Sequence, residues 1–265
     1  MRRAALLALC LVAASACRTL PAGPSAVPGV PLAADDPRPQ RLVAEWNERA
    51  AERQGLRGRA FLSVDSGGGA LHLRSRPVLA LERPSRLRVE ILGLLDAAVA
   101  VLVTDGARFE LFRAEDRSYQ TGEVHPRLLW EQAYLDLTPE EAIELLLGAP
   151  LLDRTLSPRA ADETAAGELR FDLADDLGVV RERVEFDAQG RLRRLEERDP
   201  EGALEWEARF DDYRDLAAAP FAHALSLRVA AGQSEASIQL SEVELDPELP
   251  EALFELRPAP EVGAP

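Results

Sequence analysis

The 265-residue chain carries a formal net charge of -15 and contains no lysine, so all of its permanent positive charges are arginines. That balance argues against nucleic acid or an anionic lipid surface as the main partner, since both would repel it. With only Cys10 and Cys17, there is no disulfide framework to read.

The chain opens on Met1-Arg2-Arg3 and an apolar run from Ala4 to Ala14. That run is far short of the ~20 residues that span a bilayer, so residues 1–16 read as an export signal that is removed. Ala14-Ser15-Ala16-Cys17 has two readings: a lipobox, whose cysteine is lipidated and becomes the new N-terminus, and an ordinary A-x-A cleavage site. Cys10 leaves with the signal. The mature chain then holds one thiol, at its very start, and an unmodified lone thiol is a liability in an oxidising compartment. Lipidation at Cys17 is the expectation. Residues 17–40 follow as a Pro/Ala-rich tether, punctuated by Pro21, Pro24, Pro28, Pro31, Pro37 and Pro39.

The folded body is expected over residues 41–258 as one domain, with a short tail at 259–265. Leu42, Val43, Trp46 and Ala50 fall on one face of a helix over 41–53. The period then changes to two. Short strands are predicted at 59–64, 70–74, 79–81, 86–91, 98–104 and 108–112, with Gly67-Gly68-Gly69 and Asp105-Gly106 as turns. A helical interlude follows over 128–135. Thr138-Pro139-Glu140-Glu141 starts a further helix with capping-box spacing, and Gly148-Ala149-Pro150 stops it. Strands resume at 167–173, 179–187, 192–198, 204–213, 224–229 and 234–245. The fold class is therefore mostly β (α+β): one open antiparallel half-barrel of about 10–12 strands, with a few amphipathic helices covering an apolar interior.

No catalytic chemistry is legible. His72, His125 and His223 are scattered, without ligand-spaced companions, and there is no nucleophile elbow, phosphate loop or dinucleotide fingerprint. Asp175-Asp176 and Asp211-Asp212 adjoin turns and strand ends, as solvated acids do. Neither catalytic residues nor a metal nor a cofactor is expected. A long sheet with few helices to fill it leaves room for an apolar ligand.

Several motifs in order resemble the LolA/LolB superfamily. They are a helix with Trp46, then Leu56-Arg57-Gly58-Arg59-Ala60-Phe61, then the alternating Arg86-Leu87-Arg88-Val89-Glu90-Ile91 leading into Leu92-Gly93-Leu94-Leu95-Asp96. Tyr119 after a hairpin and a helix ending Leu146-Leu147-Gly148-Ala149-Pro150 complete the set. The ending, Leu245-Asp246-Pro247 through Leu253-Phe254-Glu255-Leu256, resembles the carrier LolA, whereas a lipidated cysteine and an apolar loop resemble the receptor LolB. The resemblance implies a cavity for acyl chains of lipoproteins or other lipids, and an outer-membrane anchor with the domain facing the periplasm. It also implies a soluble periplasmic carrier as partner. It puts an acyl-chain insertion loop at Leu92, Leu94 and Leu95. Cavity and lid candidates are Leu42, Val43, Trp46, Phe61, Val89, Ile91, Trp130, Ile143 and Leu146. The alternative is a non-catalytic structural or scaffolding envelope lipoprotein with a filled core. A cavity of several hundred Å³ separates the two.

Overall fold

The computed structural model describes residues 28–216 and 219–256; Cys17 lies outside them. Three helices, α1 (Arg38–Glu52), α2 (Leu128–Ala133) and α3 (Pro139–Leu146), accompany one antiparallel sheet. Its strands are β1 (Gly29–Pro31), β2 (Gly55–Ser66), β3 (Leu71–Ser75), β4 (Pro77–Glu82), β5 (Arg86–Leu92), β6 (Ala98–Thr104), β7 (Arg108–Arg113) and β8 (Ser118–Glu123). After α3 come β9 (Ser157–Thr164), β10 (Leu169–Ala174), β11 (Val180–Phe186), β12 (Leu192–Arg198), β13 (Leu204–Leu216), β14 (Ala219–Val229) and β15 (Ser234–Leu245).

The order across the sheet is β1-β9-β10-β11-β12-β13-β14-β15-β2-β4-β5-β6-β7-β8, with β3 paired to β2 alone. The sheet does not close on itself: β1 and β8 are its edges. Two meanders, β2 to β8 and β9 to β15, are joined where β15 pairs with β2, for instance Ile238 opposite Leu62 and Leu240 opposite Ala60. Fifteen strands exceed the about 10–12 that periodicity predicts. The additions are β1, β8 and β9. β1 and the first residues of α1 lie inside the stretch 17–40 expected as tether, and β1 pairs with β9.

Alternation decides which face is buried. In β5, Leu87, Val89 and Ile91 point to the concave side, while Arg88 reaches Glu90 at 2.6 Å and the Leu253 carbonyl at 2.8 Å. The convex face of the second meander is laced by ion pairs. Glu207, itself buried, accepts from Arg194 at 3.1 Å, Arg209 at 2.7 Å and Arg228 at 2.6 Å.

The helices lie on the concave face. α3 begins with the capping box expected from its sequence: the Thr138 hydroxyl accepts from the Glu141 N–H at 3.2 Å, and Glu141 accepts from the Thr138 N–H at 2.7 Å. In α1, the Trp46 indole donates to the Pro150 carbonyl at 2.9 Å, and the Asn47 amide makes a reciprocal pair with the Leu152 backbone, both bonds 2.9 Å. Arg83 locks α1 to α3. It donates to Glu144 at 2.6 and 2.7 Å and to the carbonyls of Ala50, Arg53 and Ala149 at 2.6, 2.6 and 2.8 Å. Its side chain is only 8% exposed, so removal leaves several buried acceptors without a donor. Arg83→Met is expected to lower stability by roughly 2–3 kcal/mol, measured by urea unfolding, while Arg57→Met, on an exposed pair with Glu244, changes it by less than about 0.5 kcal/mol.

Candidate functional site

Strand register assembles the site. On the concave face, Leu79, Val89, Leu102 and Leu111 form one row across β4 to β7, and Pro77, Ile91, Ala100 and Arg113 form the next. Across the β2–β15 seam the wall continues through Ala60, Leu62, Ile238, Leu225 and Leu227. α2 and α3 roof the space with Leu129, Ala133, Ala142, Leu145 and Leu146. Between them lies an apolar cavity of about 340 Å³, partly open to solvent. The volume falls in the range of small-molecule sites.

The row that ends in Arg113 is the last before the turn joining β5 to β6, so the turn stands at one end of the cavity. Its backbone is pinned by the Gly93 N–H donating to the Ala97 carbonyl at 2.8 Å. Gly93 is needed there because a Cβ would come within 2.5 Å of the Val99 side chain. Leu95 adopts φ 59° and ψ 30°, and Asp96 follows at φ 56°. A branched residue in the left-handed region costs roughly 1–2 kcal/mol, and here it presents a leucine that is 99% exposed. Val99 beside it is also exposed.

At the same end α2 is fastened by side-chain hydrogen bonds. Gln132 accepts from Arg113 of β7 at 2.5 Å. On the other flank the Ser234 hydroxyl donates to the Tyr134 carbonyl at 2.9 Å, and Ser234 and Ser66 share a further bond of 2.9 Å across the seam.

This architecture has solved counterparts. A LolA superfamily protein from Nitrosomonas europaea matches over 81% of this chain and 97% of its own, at 12% identity and a TM-score of 0.53. A DUF1329 family protein from Desulfovibrio piger matches over 81% of this chain and 95% of its own, at 12% identity and a TM-score of 0.56. The chain has a LolA/LolB-like fold. No family model matches the sequence, and no curated protein matches it.

Within this LolA/LolB-like fold the residues singled out from sequence separate into groups. Val89, Ile91 and Leu146 line the cavity. Val43, Trp46 and Ile143 are buried in the core outside it, and Leu42 packs against that core. Phe61 is 47% exposed on the convex face, because its neighbours Ala60 and Leu62 take the inward positions of β2. Trp130 stands outside the cavity, edge-on to Tyr134 with the Arg127 guanidinium over its ring. Leu92 is half-buried at the end of β5; of Leu94 only the backbone is described. The wall leucines 62, 79, 87, 102, 111, 225 and 227 escape the sequence reading, although inward parity along each strand identifies them. The three histidines remain apart, and no cluster of metal-ligating side chains occurs among the described residues.

A row of acids extends along the concave face of the second meander. Glu182 of β11 opposes Glu197 of β12, which opposes Trp206 of β13. The Trp206 indole donates to Glu141 of α3 at 3.2 Å. Glu182 accepts from the Asp153 N–H at 3.0 Å through one oxygen, and the other has no partner among the described residues. Burial pushes the Glu182 carboxyl up to about 7. Burial, then repulsion from Glu182, Glu205 and Glu141, pushes Glu197 up to about 8. Both acids ionise near 4.3 in an unfolded chain. Between that value and their folded values the unfolded state has lost protons that the folded state keeps. The stability they contribute is therefore complete below about pH 4, and is lost as pH rises through about 7 to 8. Thermal unfolding followed by circular dichroism is expected to show Tm falling between about pH 5 and 8. Glu182→Gln is expected to flatten that fall; an equally steep fall in the variant overturns the assignment.

Proposed function

We propose that the protein is a membrane-anchored lipoprotein that binds acyl chains in its concave cavity. We take its role to be receiving or localising lipoproteins or lipids at the outer membrane, with the domain facing the periplasm and no catalytic step. The observation that carries this reading is the apolar cavity, about 340 Å³, with an exposed Leu95 turn at one end. A structural lipoprotein with a filled core has no use for either.

Magnitudes say why such a site is needed. Each buried methylene is worth ~0.8 kcal/mol, so a long acyl chain opposes entry into water by roughly 12 kcal/mol. A protein that moves such chains between a soluble carrier and a bilayer must offer an apolar space and then yield its contents. Leu95 suits the release, since a lone apolar side chain held out from a pinned turn can enter the bilayer interface without unfolding anything. Lipidation at Cys17 and the Pro-rich stretch after it would keep the domain beside that bilayer.

Native mass spectrometry of residues 28–265 purified from cells is expected to show co-purified lipid, and a protein free of lipid that also fails to bind a fluorescent fatty-acid probe would remove the reading. In the same preparation Leu95→Glu is expected to retain lipid and to change stability by less than about 0.5 kcal/mol, while transfer to liposomes falls several-fold. Unchanged transfer would count against the turn. Cys17→Ala is expected to move the full-length protein from the membrane to the soluble periplasmic fraction; a wild-type protein that already fractionates as soluble would leave the ordinary cleavage reading of Ala14-Ser15-Ala16.

A further inference from the structure

The cavity wall is apolar apart from three side chains, Ser75, Arg113 and Gln132. Their positions are informative. Arg113 ends β7, on the row adjoining the Leu95 turn. Its guanidinium donates to the Gln120 side-chain oxygen at 3.2 Å and to that of Gln132 at 2.5 Å, both neutral amides. A guanidinium offers five donors; among the described residues Arg113 forms no ion pair, although Asp116 of the following turn feels its charge. The contrast is Arg83, at the far end of the helices, whose guanidinium is held by Glu144 and three carbonyls. Ser75 ends β3, across the sheet from β7. It is 9% exposed, and its hydroxyl has no hydrogen-bond partner among the described residues. A buried, unpartnered hydroxyl on an otherwise apolar wall has a cost unless a ligand atom meets it.

Resting on the acyl-chain reading above, we propose that the cavity selects an acyl chain with an acidic head, a carboxylate or a phosphate ester. The head sits on Arg113 at the mouth, and the chain runs inward past Val89, Leu102 and Leu111 toward Leu145. Arg113 supplies a charge-assisted fork whose two Gln partners orient it without an ion pair. The chain's acidic surface repels an anionic membrane as a whole, whereas a single cation inside a low-dielectric mouth acts at short range on one head group. The Leu95 turn beside Arg113 then lies at head-group depth when its leucine is in the interface.

The test compares ligands that share one chain and differ in the head. Delipidated wild-type protein is titrated with palmitate, palmityl phosphate, methyl palmitate and palmityl alcohol, by displacement of a fluorescent probe. Palmitate and palmityl phosphate are expected to bind about tenfold more tightly than the ester or alcohol. Arg113→Gln is expected to remove that preference, the acids losing about tenfold and methyl palmitate far less, and Arg113→Lys to keep most of it. Inorganic phosphate at millimolar concentration is expected not to displace the acids; displacement would make Arg113 a free-anion site and overturn the proposal. Equal affinity of wild type for acid and ester overturns it too, while leaving the acyl cavity in place. An equal loss for acid and ester in Arg113→Gln means the side chain only holds α2, and overturns it likewise. No binding of any of the four ligands removes the acyl cavity, and this proposal with it.

Discussion

The pairing of β15 with β2 is the interaction on which the rest of the molecule depends. It joins the last long strand to the first, bringing together residues as far apart in sequence as Ser66 and Ser234, and turns two separate meanders into one sheet. Without it each meander would expose a long edge and an apolar face. With it, Ala60 and Leu62 on one side and Leu225, Leu227 and Ile238 on the other make a continuous inner wall. The seam also carries the roof: the Ser234 hydroxyl, bonded across it to Ser66, donates to the Tyr134 carbonyl at the end of α2. Such a non-local contact is slow to form, since the loop it closes must be ordered first. The hairpins of each meander are local, need no such closure, and reduce what the seam must organise.

One sheet of fifteen strands presents more inner surface than its helices can cover. α1 has fifteen residues, α2 six and α3 eight. α1 packs its Trp46 on Phe186 of the second meander, which leaves only the two short helices over the first meander and the seam. The cavity lies where that cover is thinnest. On the convex side the problem does not arise, because Arg and Glu alternate there and pair across strands around Glu196 and Glu207. The same period of two therefore produces an ion-paired outer surface and a greasy inner one, and the scarcity of helix converts the inner one into a space.

Much of this is legible in the sequence, and the exceptions have physical causes. Clean alternation in β5 and the capping box of α3 can be read directly, since both are local. β8 (SYQTGE) and β9 (SPRAADET) cannot, because neither alternates apolar with polar: β8 is a solvated edge, and β9 gets its partners from β10 and the short β1. Phe61 illustrates a different limit. Size and apolarity mark it for the core, yet parity along β2 puts the smaller Ala60 and Leu62 inside. Helical period identifies Trp46 as buried, but period does not say against what, and its partner Phe186 lies 140 residues away. Arg113 is beyond reach for a stronger reason. Its place at the mouth follows only from a register that runs through four strands, and no local pattern separates it from the chain's other arginines.

The two ends of the helical cover are held by unequal means, and that inequality orients the site. At one end Arg83 is buried and bonded to Glu144 and three backbone carbonyls, joined by Arg53 on the carbonyls of Leu147, Gly148 and Pro220. Breaking that cluster strands desolvated charge and several acceptors at once. At the other end α2 is held by two side-chain bonds, Gln132 to Arg113 and the Tyr134 carbonyl to the buried Ser234 hydroxyl. The roof is therefore tied by more bonds at the Arg83 end than at the Arg113 end. Arg113, the end of α2 and the exposed Leu95 come together because strand register puts the β5–β6 turn and the end of β7 on the same rim of the sheet.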